Sequence, residues 1–212
     1  MTQDQKDTRR DYDRDELRRN TLDVDPMRQF EQWLAQANAA QLVDATAMTL
    51  ATVAADGQPS ARIVLLKHFD AAGFVWYTDY SSQKGLELAQ NPKATLLFYW
   101  RELERQVRMS GEVVKISVEE SAKYFHSRPK DSQLSAAASA QSEVIADRAA
   151  LERKVQALPT SDDDSIAMPV DWGGYRLTPH TYEFWQGRSN RLHDRFRYQR
   201  DGERWHIDRL QP

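Results

Sequence analysis

The feature that most constrains the fold is a series of short strand-like stretches separated by turns, with helical stretches between them. The predicted strands are residues 47–53, 60–68, 74–78, 94–100, 104–116, 174–177, 182–185, 191–198 and 205–208. Asp56-Gly57 predicts the turn between the first two strands. Short strands joined by turns are typical of antiparallel sheets. We therefore predict an α+β, mainly β fold, an antiparallel barrel with packed helices.

Helical periodicity and capping residues predict where the helices lie. The predicted helices are residues 26–40, 81–90, 117–128, 130–140 and 143–157. Asp25-Pro26 is a typical helix start, and Ser117 followed by Glu120 forms a capping-box pattern. Residues 1–25 contain few large apolar side chains and many charges of both signs. We therefore predict a mobile N-terminal arm followed by a single domain over residues 26–212.

Composition excludes several function classes. The 212 residues carry a net charge of -3, which is not the charge of a general nucleic-acid-binding protein. The chain has no cysteine, which excludes disulfides and thiolate sites and fits a cytoplasmic protein. A long apolar run and a signal peptide are both absent, so we expect no membrane association. Dinucleotide, P-loop, serine-hydrolase and zinc-protease motifs are also missing, and no metal site is expected.

The stretch Arg191-Leu192-His193-Asp194-Arg195 is the first candidate site. In a β-strand, side chains alternate between faces, so Arg191, His193 and Arg195 would share one face. Two guanidinium groups around an imidazole suit an anionic or electron-rich ligand that takes part in proton transfer. A solvated edge strand explains the same pattern.

Three further cation patterns fit anion binding. Arg62 and Lys67 lie five residues apart and, in one regular strand, would be on opposite faces and about 16 Å apart. Such a pair could serve two phosphates, or it could be a barrel strand with charged ends. Tyr124, Arg128 and Ser132 could cradle one phosphate, although a core tyrosine and a helix-end arginine are the alternative. Ser82-Gln83-Lys84 begins a predicted helix whose first turn could bind an anion, or be simply solvated.

Several longer blocks resemble one known family. They are Arg62-x4-Lys67, Tyr77-Thr78, Glu104-Arg105-Gln106-Val107, residues 124–133 (YFHSRPKDSQ), Trp172-Gly173-Gly174 and residues 183–195 (EFWQGRSNRLHDR). In this order they resemble the pyridoxine/pyridoxamine 5′-phosphate oxidase family. The resemblance runs from about residue 9 to the C-terminus and is weakest in the acidic loop at 159–169.

The resemblance implies a Greek-key split β-barrel and a homodimer that binds FMN at the subunit interface. The implied FMN-binding residues are Arg62, Ile63, Val64, Leu65, Leu66, Lys67, Tyr77, Thr78, Gln83, Lys84, Gln106, Gln141, Ser142, Trp185 and Arg195. The implied substrate-binding residues are Arg9, Tyr12, Lys67, Tyr124, Arg128, Ser132, Arg191 and His193, of which Arg191 and His193 are the implied catalytic pair. The arm that contains Arg9 and Tyr12 would cover the substrate.

The implied reaction is the FMN-dependent oxidation of pyridoxine 5′-phosphate or pyridoxamine 5′-phosphate by O2. Its products are pyridoxal 5′-phosphate and hydrogen peroxide, with ammonia from the amine. Gln83 stands where the family often has arginine, and we hypothesise that it still hydrogen-bonds the flavin phosphate. Ser135-Ala136 is a second departure, at a place where the family often has Gly-Ala. Two alternatives stay open: a split-barrel flavoprotein with another substrate, and a non-catalytic carrier or sensor.

Overall fold

The computed structural model describes residues 11–158 and 165–212, and within them the chain forms nine strands and five α-helices. The strands are β1 (Ala47–Val53), β2 (Pro59–Leu65), β3 (His68–Asp70), β4 (Gly73–Asp79), β5 (Lys93–Trp100), β6 (Arg105–Lys115), β7 (Trp172–Gln186), β8 (Asp194–Asp201) and β9 (Arg204–Leu210). The helices are α1 (Pro26–Ala39), α2 (Gln83–Gln90), α3 (Val118–Ser127), α4 (Lys130–Ala138) and α5 (Arg148–Gln156). Among the described residues, no helix is long and apolar enough to cross a membrane.

The strands belong to one sheet in the order β2-β1-β5-β6-β7-β4-β3, and β8 pairs with both β7 and β9. The pairings β3–β4, β4–β7, β7–β8 and β8–β9 are all antiparallel. Neighbours in the sheet are often distant in sequence, as β4 and β7 are. Such non-local antiparallel order is what the predicted fold class requires.

The chain divides into two compact units. Among the described residues, unit 1 comprises residues 11–49, 95–110 and 179–212, and unit 2 comprises residues 50–94, 111–158 and 165–178. In unit 1, α1 buries Phe30 and Trp33, and their rings pack against Phe98 and Phe184. In unit 2, one buried cluster is built on Phe125, Ile166 and Trp172. Each unit therefore has an apolar core of its own.

The predicted starts of α1 and α3 are confirmed, whereas the helix predicted over residues 143–157 begins only at Arg148, after its cap at Asp147. The Asp25 side chain accepts a hydrogen bond from the Met27 backbone N–H at the start of α1. At the start of α3, Ser117 and Glu120 form both hydrogen bonds of a capping box. The break at Pro129 is also confirmed, because α3 ends at Ser127 and α4 begins at Lys130.

Two strand predictions before residue 190 are wrong. Residues 60–68 do not form one strand, because β2 ends at Leu65. The Lys67 backbone N–H then donates to the carbonyl of Val75 at 2.9 Å. Residues 174–177 and 182–185 belong to the single strand β7. Pro179 interrupts the sequence pattern but not the strand, because the register to β4 ends at Leu177 and the register to β8 starts at Thr181.

Candidate functional site

Unit 2 contains a cavity of about 910 Å³. The predicted site residues that line it are Arg62, Ile63, Val64, Leu65, Lys67, Tyr77, Thr78, Gln83, Lys84, Tyr124, Arg128, Ser132, Gln141 and Ser142. Leu66 is buried beside this set and is not part of the wall. Arg62 and Lys67 share this cavity because the strand ends between them, so their predicted placement on opposite faces of one strand is wrong.

Lys84 is a buried cation at the start of α2. Its Nζ donates to Gln141 Oε1 at 2.8 Å, to Ser82 Oγ at 2.9 Å and to Thr78 Oγ1 at 3.1 Å. Burial, together with the charge of Arg62, lowers the pKa of Lys84 to about 8. Because these three hydrogen-bond partners are neutral, an anion bound in the cavity would stabilise the ammonium form.

The Arg62 guanidinium is held by a buried carboxylate on α2. Its Nη2 lies 3.3 Å from Glu87 Oε2, and the Ser60 hydroxyl lies within 2.8 Å of both Glu87 oxygens. Thr52 also donates to Glu87. Burial raises the pKa of the Glu87 carboxyl, but these hydrogen bonds and the Arg62 charge outweigh it and hold the pKa below its usual value.

The Gln83 side chain is part of the same network. Its Nε2 donates to Glu87 Oε1 at 3.0 Å, one helical turn further along α2. The Gln83 backbone N–H donates to the Ser142 hydroxyl at 3.2 Å. The hypothesis that Gln83 hydrogen-bonds a phosphate therefore requires its amide to leave Glu87 or to use its other N–H.

A second cationic group lies at the junction of α3 and α4. Arg128 Nη2 donates to the Ser132 carbonyl at 2.8 Å, and the guanidinium lies 5.0 Å from the centre of the Trp172 ring. Arg128 Nη1 is buried and has no hydrogen-bond partner among the described residues. A buried donor without an acceptor is costly, so this atom fits a bound anion.

Aromatic rings line the cavity beside these cations. The Tyr77 ring stacks on that of Tyr124 with centroids 3.9 Å apart, and on that of Trp172 at 5.5 Å. Burial and the neighbouring Tyr124 raise the pKa of the Tyr77 hydroxyl, so it stays protonated at neutral pH. Flat apolar faces next to anion-binding groups suit a planar aromatic ligand that carries phosphate.

Unit 1 holds the other predicted site residues: Tyr12, Gln106, Trp185, Arg191, His193 and Arg195. The His193 ring lies 4.7 Å from that of Trp185 and 5.6 Å from that of Tyr12, and the Tyr12 and Trp185 rings are edge to face at 5.8 Å. Gln106 is half-buried on β6. Arg9 lies outside the described residues.

His193 has a defined hydrogen bond. Its Nδ1 lies 3.1 Å from the backbone N of Arg188, so Nδ1 accepts and the ring proton of the neutral form is on Nε2. Burial lowers the pKa of His193, and the charges of Arg191 and Arg195 lower it further. The neutral imidazole, with its proton on Nε2, is therefore the dominant form at neutral pH.

The predicted strand over residues 191–198 is wrong at its start. β8 begins at Asp194, and the backbone of Asn190 and Arg191 has positive φ angles of 55° and 61°. Arg191, His193 and Arg195 therefore do not share one face of a strand by alternation. A left-handed turn precedes β8 instead. Arg195, on β8, forms an ion pair in which its Nη2 lies 2.8 Å from Glu183 Oε1.

Glu87, Trp172 and Arg188 are among the residues that shape these sites but were not predicted as site residues. Glu87 lies four residues after Gln83 in a predicted helix, and this spacing could have identified it as a neighbour on the same face. Trp172 belongs to a family-like block, but its sequence context does not indicate that it stacks on Tyr77. Nothing in the sequence indicates the contacts of Arg188.

Comparison with known families identifies the chain's relationship. A family model described as pyridoxamine 5′-phosphate oxidase matches residues 34–161. A second, described as the pyridoxine 5′-phosphate oxidase C-terminal dimerisation region, matches residues 172–212. The chain belongs to the pyridoxamine 5′-phosphate oxidase family.

Curated relatives extend this relationship over nearly the whole chain. A pyridoxine/pyridoxamine 5′-phosphate oxidase from Acaryochloris marina is 53% identical over 207 residues, which cover 97% of this chain and 94% of the relative. A pyridoxine/pyridoxamine 5′-phosphate oxidase 1 from Hydrogenovibrio crunogenus is 52% identical, with 96% of each chain covered. Membership in the pyridoxamine 5′-phosphate oxidase family therefore rests on relatives that match over nearly their whole length.

Solved structures share the fold. The PhzG protein from Burkholderia lata, crystallised with tetrahydrophenazine-1-carboxylic acid, matches with a TM-score of 0.83 at 35% identity, over 91% of this chain and 95% of that one. A pyridoxamine 5′-phosphate oxidase-related, FMN-binding protein from Nostoc punctiforme matches with a TM-score of 0.72 at 22% identity, over 90% of this chain and all of that one. The predicted α+β, antiparallel split-barrel fold of the pyridoxamine 5′-phosphate oxidase family is confirmed.

Proposed function

We propose that this chain oxidises pyridoxine 5′-phosphate and pyridoxamine 5′-phosphate to pyridoxal 5′-phosphate, with FMN as cofactor and O2 as oxidant. The observation that carries the proposal is the cavity in unit 2, which is lined by two cationic groups and by stacked aromatic rings. One group is built on Lys84 and Arg62, the other on Arg128, and Lys67 also lines the cavity. Two phosphates on two planar ring systems match this arrangement.

The residues present fit FMN. Lys84 and Arg62 would bind its phosphate, and Tyr77 would pack against its ring system. Gln106, Trp185 and Arg195 belong to unit 1, and their predicted role in flavin binding stays a prediction. When bound, FMN supplies the two-electron acceptor for the substrate carbon and the means of passing both electrons to O2.

The chain's own residues bind and orient the substrate. Arg128 offers its unpaired Nη1 to the substrate phosphate, and Tyr124, Ser132 and Lys67 add hydrogen-bond donors. His193 would donate Nε2–H to the pyridine substrate, while Arg191 would stabilise negative charge that develops on it. Each O2 consumed yields one aldehyde and one hydrogen peroxide. The amine substrate also releases ammonia after hydrolysis.

The proposal includes a homodimer. The match to a C-terminal dimerisation region supports the dimer. We further propose that the flavin binds at the subunit interface. The N-terminal arm with Arg9 and Tyr12 is proposed as the cover of the substrate, and residues 26–212 as the domain that holds the flavin. The predicted cytoplasmic location stays a prediction.

One assay tests the proposal. The purified protein should be yellow, or become yellow with added FMN, and should form peroxide and pyridoxal 5′-phosphate from pyridoxine 5′-phosphate under air. Unphosphorylated pyridoxine is the matched control, and its KM should be at least about tenfold higher because Arg128 loses its anion. A yellow protein that leaves both phosphorylated substrates unchanged would contradict the proposal. It would favour another substrate, or a carrier or sensor. A protein that binds no FMN would exclude the proposal.

A further inference from the structure

Arg188 lies between β7 and β8, and its side chain contacts the N-terminal arm. Its Nη1 donates to the backbone carbonyl of Asp15 at 3.0 Å and lies 3.7 Å from Glu16 Oε2. Its Nε lies 3.7 Å from Asp194 Oδ2. The side chain is 35% exposed, so it is a surface group rather than part of the core.

The same part of the arm has three other anchors, one of which is the Arg14 backbone N–H that donates to Glu104 Oε2 at 3.2 Å. The Leu17 backbone N–H donates to Asp194 Oδ2 at 3.1 Å, so the arm and Arg188 share one buried carboxylate. Asp15 pairs with the buried Arg105 guanidinium at 2.6 Å. Residues 15–17 are thus held in unit 1 by contacts that involve backbone as well as side-chain atoms.

Immediately before these anchors, the arm brings Tyr12 against the candidate catalytic residues. The Tyr12 ring lies 5.6 Å from the His193 ring and 5.8 Å from that of Trp185. It also lies over Gly187, where an added Cβ would be 2.7 Å from the ring. Tyr12 can occupy this place only because residue 187 has no side chain.

Arg188 therefore connects two features. Its backbone N–H fixes the His193 tautomer, and its side chain holds the arm three to four residues after Tyr12. A substitution at 188 other than proline keeps the backbone N–H and so leaves the His193 hydrogen bond in place. The two contributions can be separated by experiment.

We propose that Arg188 is a positioning residue: its side chain docks the N-terminal arm so that Tyr12 stays packed against His193 and Trp185. The inference rests on the proposed function for its kinetic readout only. Without the Arg188 side chain, the anchors at Leu17 and Asp15 remain. The arm is then held less tightly, and the protein stays folded. Tyr12 then spends less time beside the substrate-binding residues.

The test compares Arg188→Ala with the full-length unmodified protein. We expect KM for pyridoxine 5′-phosphate to rise about tenfold, as for the loss of a charge-assisted hydrogen bond, with kcat changed less than about twofold and FMN affinity unchanged. Arg200→Ala is the matched control, because Arg200 is an exposed arginine in the same unit. It removes the same charge without touching the arm and should leave KM unchanged.

A double variant separates positioning from a general charge effect. If Arg188 acts through Tyr12, then adding Arg188→Ala to Tyr12→Ala should raise KM by less than about twofold, because the contact it supports is already gone. An effect of Arg188→Ala that is equally large in both backgrounds would overturn the proposal. So would an unchanged KM in the single variant.

Limited trypsin digestion gives a readout that does not depend on turnover. Arg188→Ala should speed cleavage after Arg14 and Arg18, and Arg200→Ala should not, as followed by mass spectrometry. If the unmodified protein shows no oxidase activity, the proposed function fails while this digestion still tests the docking. Equal cleavage rates in Arg188→Ala and the unmodified protein would overturn the docking itself.

Discussion

At the scale of single residues, Lys84 shows how burial tunes a binding group. An ammonium surrounded by Thr78, Ser82 and Gln141 has its hydrogen bonds satisfied, yet burial still lowers its pKa to about 8. The lysine is therefore mostly charged at neutral pH but close to losing its proton. A phosphate that binds next to it favours the charged form, so proton uptake and phosphate binding are linked.

This linkage predicts a pH-dependent flavin affinity. Below pH 8 Lys84 carries its charge before FMN binds, whereas above pH 8 it must take up a proton on binding. We expect FMN affinity to be level between pH 7 and 8 and to fall above pH 8 by up to about tenfold per pH unit. Riboflavin has no phosphate, so its affinity should change little. Quenching of flavin fluorescence by the apoprotein measures both.

Two variants control this prediction. Lys84→Met should weaken FMN binding at pH 7 and remove the decline above pH 8. Lys93→Met removes an exposed lysine of the same unit and should keep the unmodified profile. A riboflavin curve that declines in parallel with the FMN curve would show that Lys84 is not the titrating group.

Sequence reasoning at this scale predicted residue types better than contacts. The cations Arg62, Lys67 and Lys84 were predicted as anion ligands, and the structure brings all three to one cavity. The sequence could not predict that the Gln83 amide donates to Glu87. Whether this amide bonds a phosphate or a carboxylate depends on distances within the folded α2. The sequence also did not indicate the left-handed backbone at Asn190 and Arg191, because an alternating pattern favours a strand in any sequence window.

At the scale of elements, the junction of α3 and α4 positions the second cationic group. α3 begins with a complete capping box at Ser117 and Glu120, and Arg128 follows its last turn. Pro129 then ends the helix, and α4 brings the Ser132 carbonyl back to Arg128. The cap at one end of α3 and the ligand group at the other are separable features of one helix.

The cap should therefore contribute to stability but not to substrate binding. We expect Ser117→Ala to lower the free energy of unfolding by about 1 kcal/mol, because the Glu120 backbone N–H loses its acceptor. Urea unfolding of the apoprotein measures this change, and KM for the phosphorylated substrate should stay unchanged. Ser127→Ala is the control at the other end of α3, with an expected loss below about 0.5 kcal/mol. Equal losses in both variants would contradict the special role of the cap.

Helix ends were predictable at three places where a local signal marks them, but the cap at Asp147 was missed, and the helix predicted to start at residue 143 begins at Arg148. Asp25, Ser117 and Pro129 each start or stop a helix through their own hydrogen bonds or ring, so their effect is visible in sequence. Pro179 was misleading because its cost depends on which neighbours pair beside it. β7 changes partner from β4 to β8 around this residue, and such a change is a tertiary feature.

At the scale of the whole molecule, the residues proposed to bind FMN and substrate are divided between two units. Unit 2 contains the cavity with its two cationic groups, and unit 1 contains Tyr12, Trp185 and His193. Sequence predicted the fold class, because repeated short strands exclude most other architectures, but it did not predict this division. Residues from distant parts of the chain build each unit, and only long-range strand pairing decides which ones.

The dimer that the family match supports gives the last prediction. We expect light scattering during gel filtration to give about twice the 24.5 kDa mass of one chain, in both the FMN-bound and apo forms. If the interface holds the flavin, dilution should release FMN and dissociate the dimer over the same concentration range. The reason is that FMN binding and subunit association stabilise the same assembly. Flavin fluorescence rises on release and can be recorded on the same samples. A single-chain species that retains FMN at the lowest concentration would contradict an interface site.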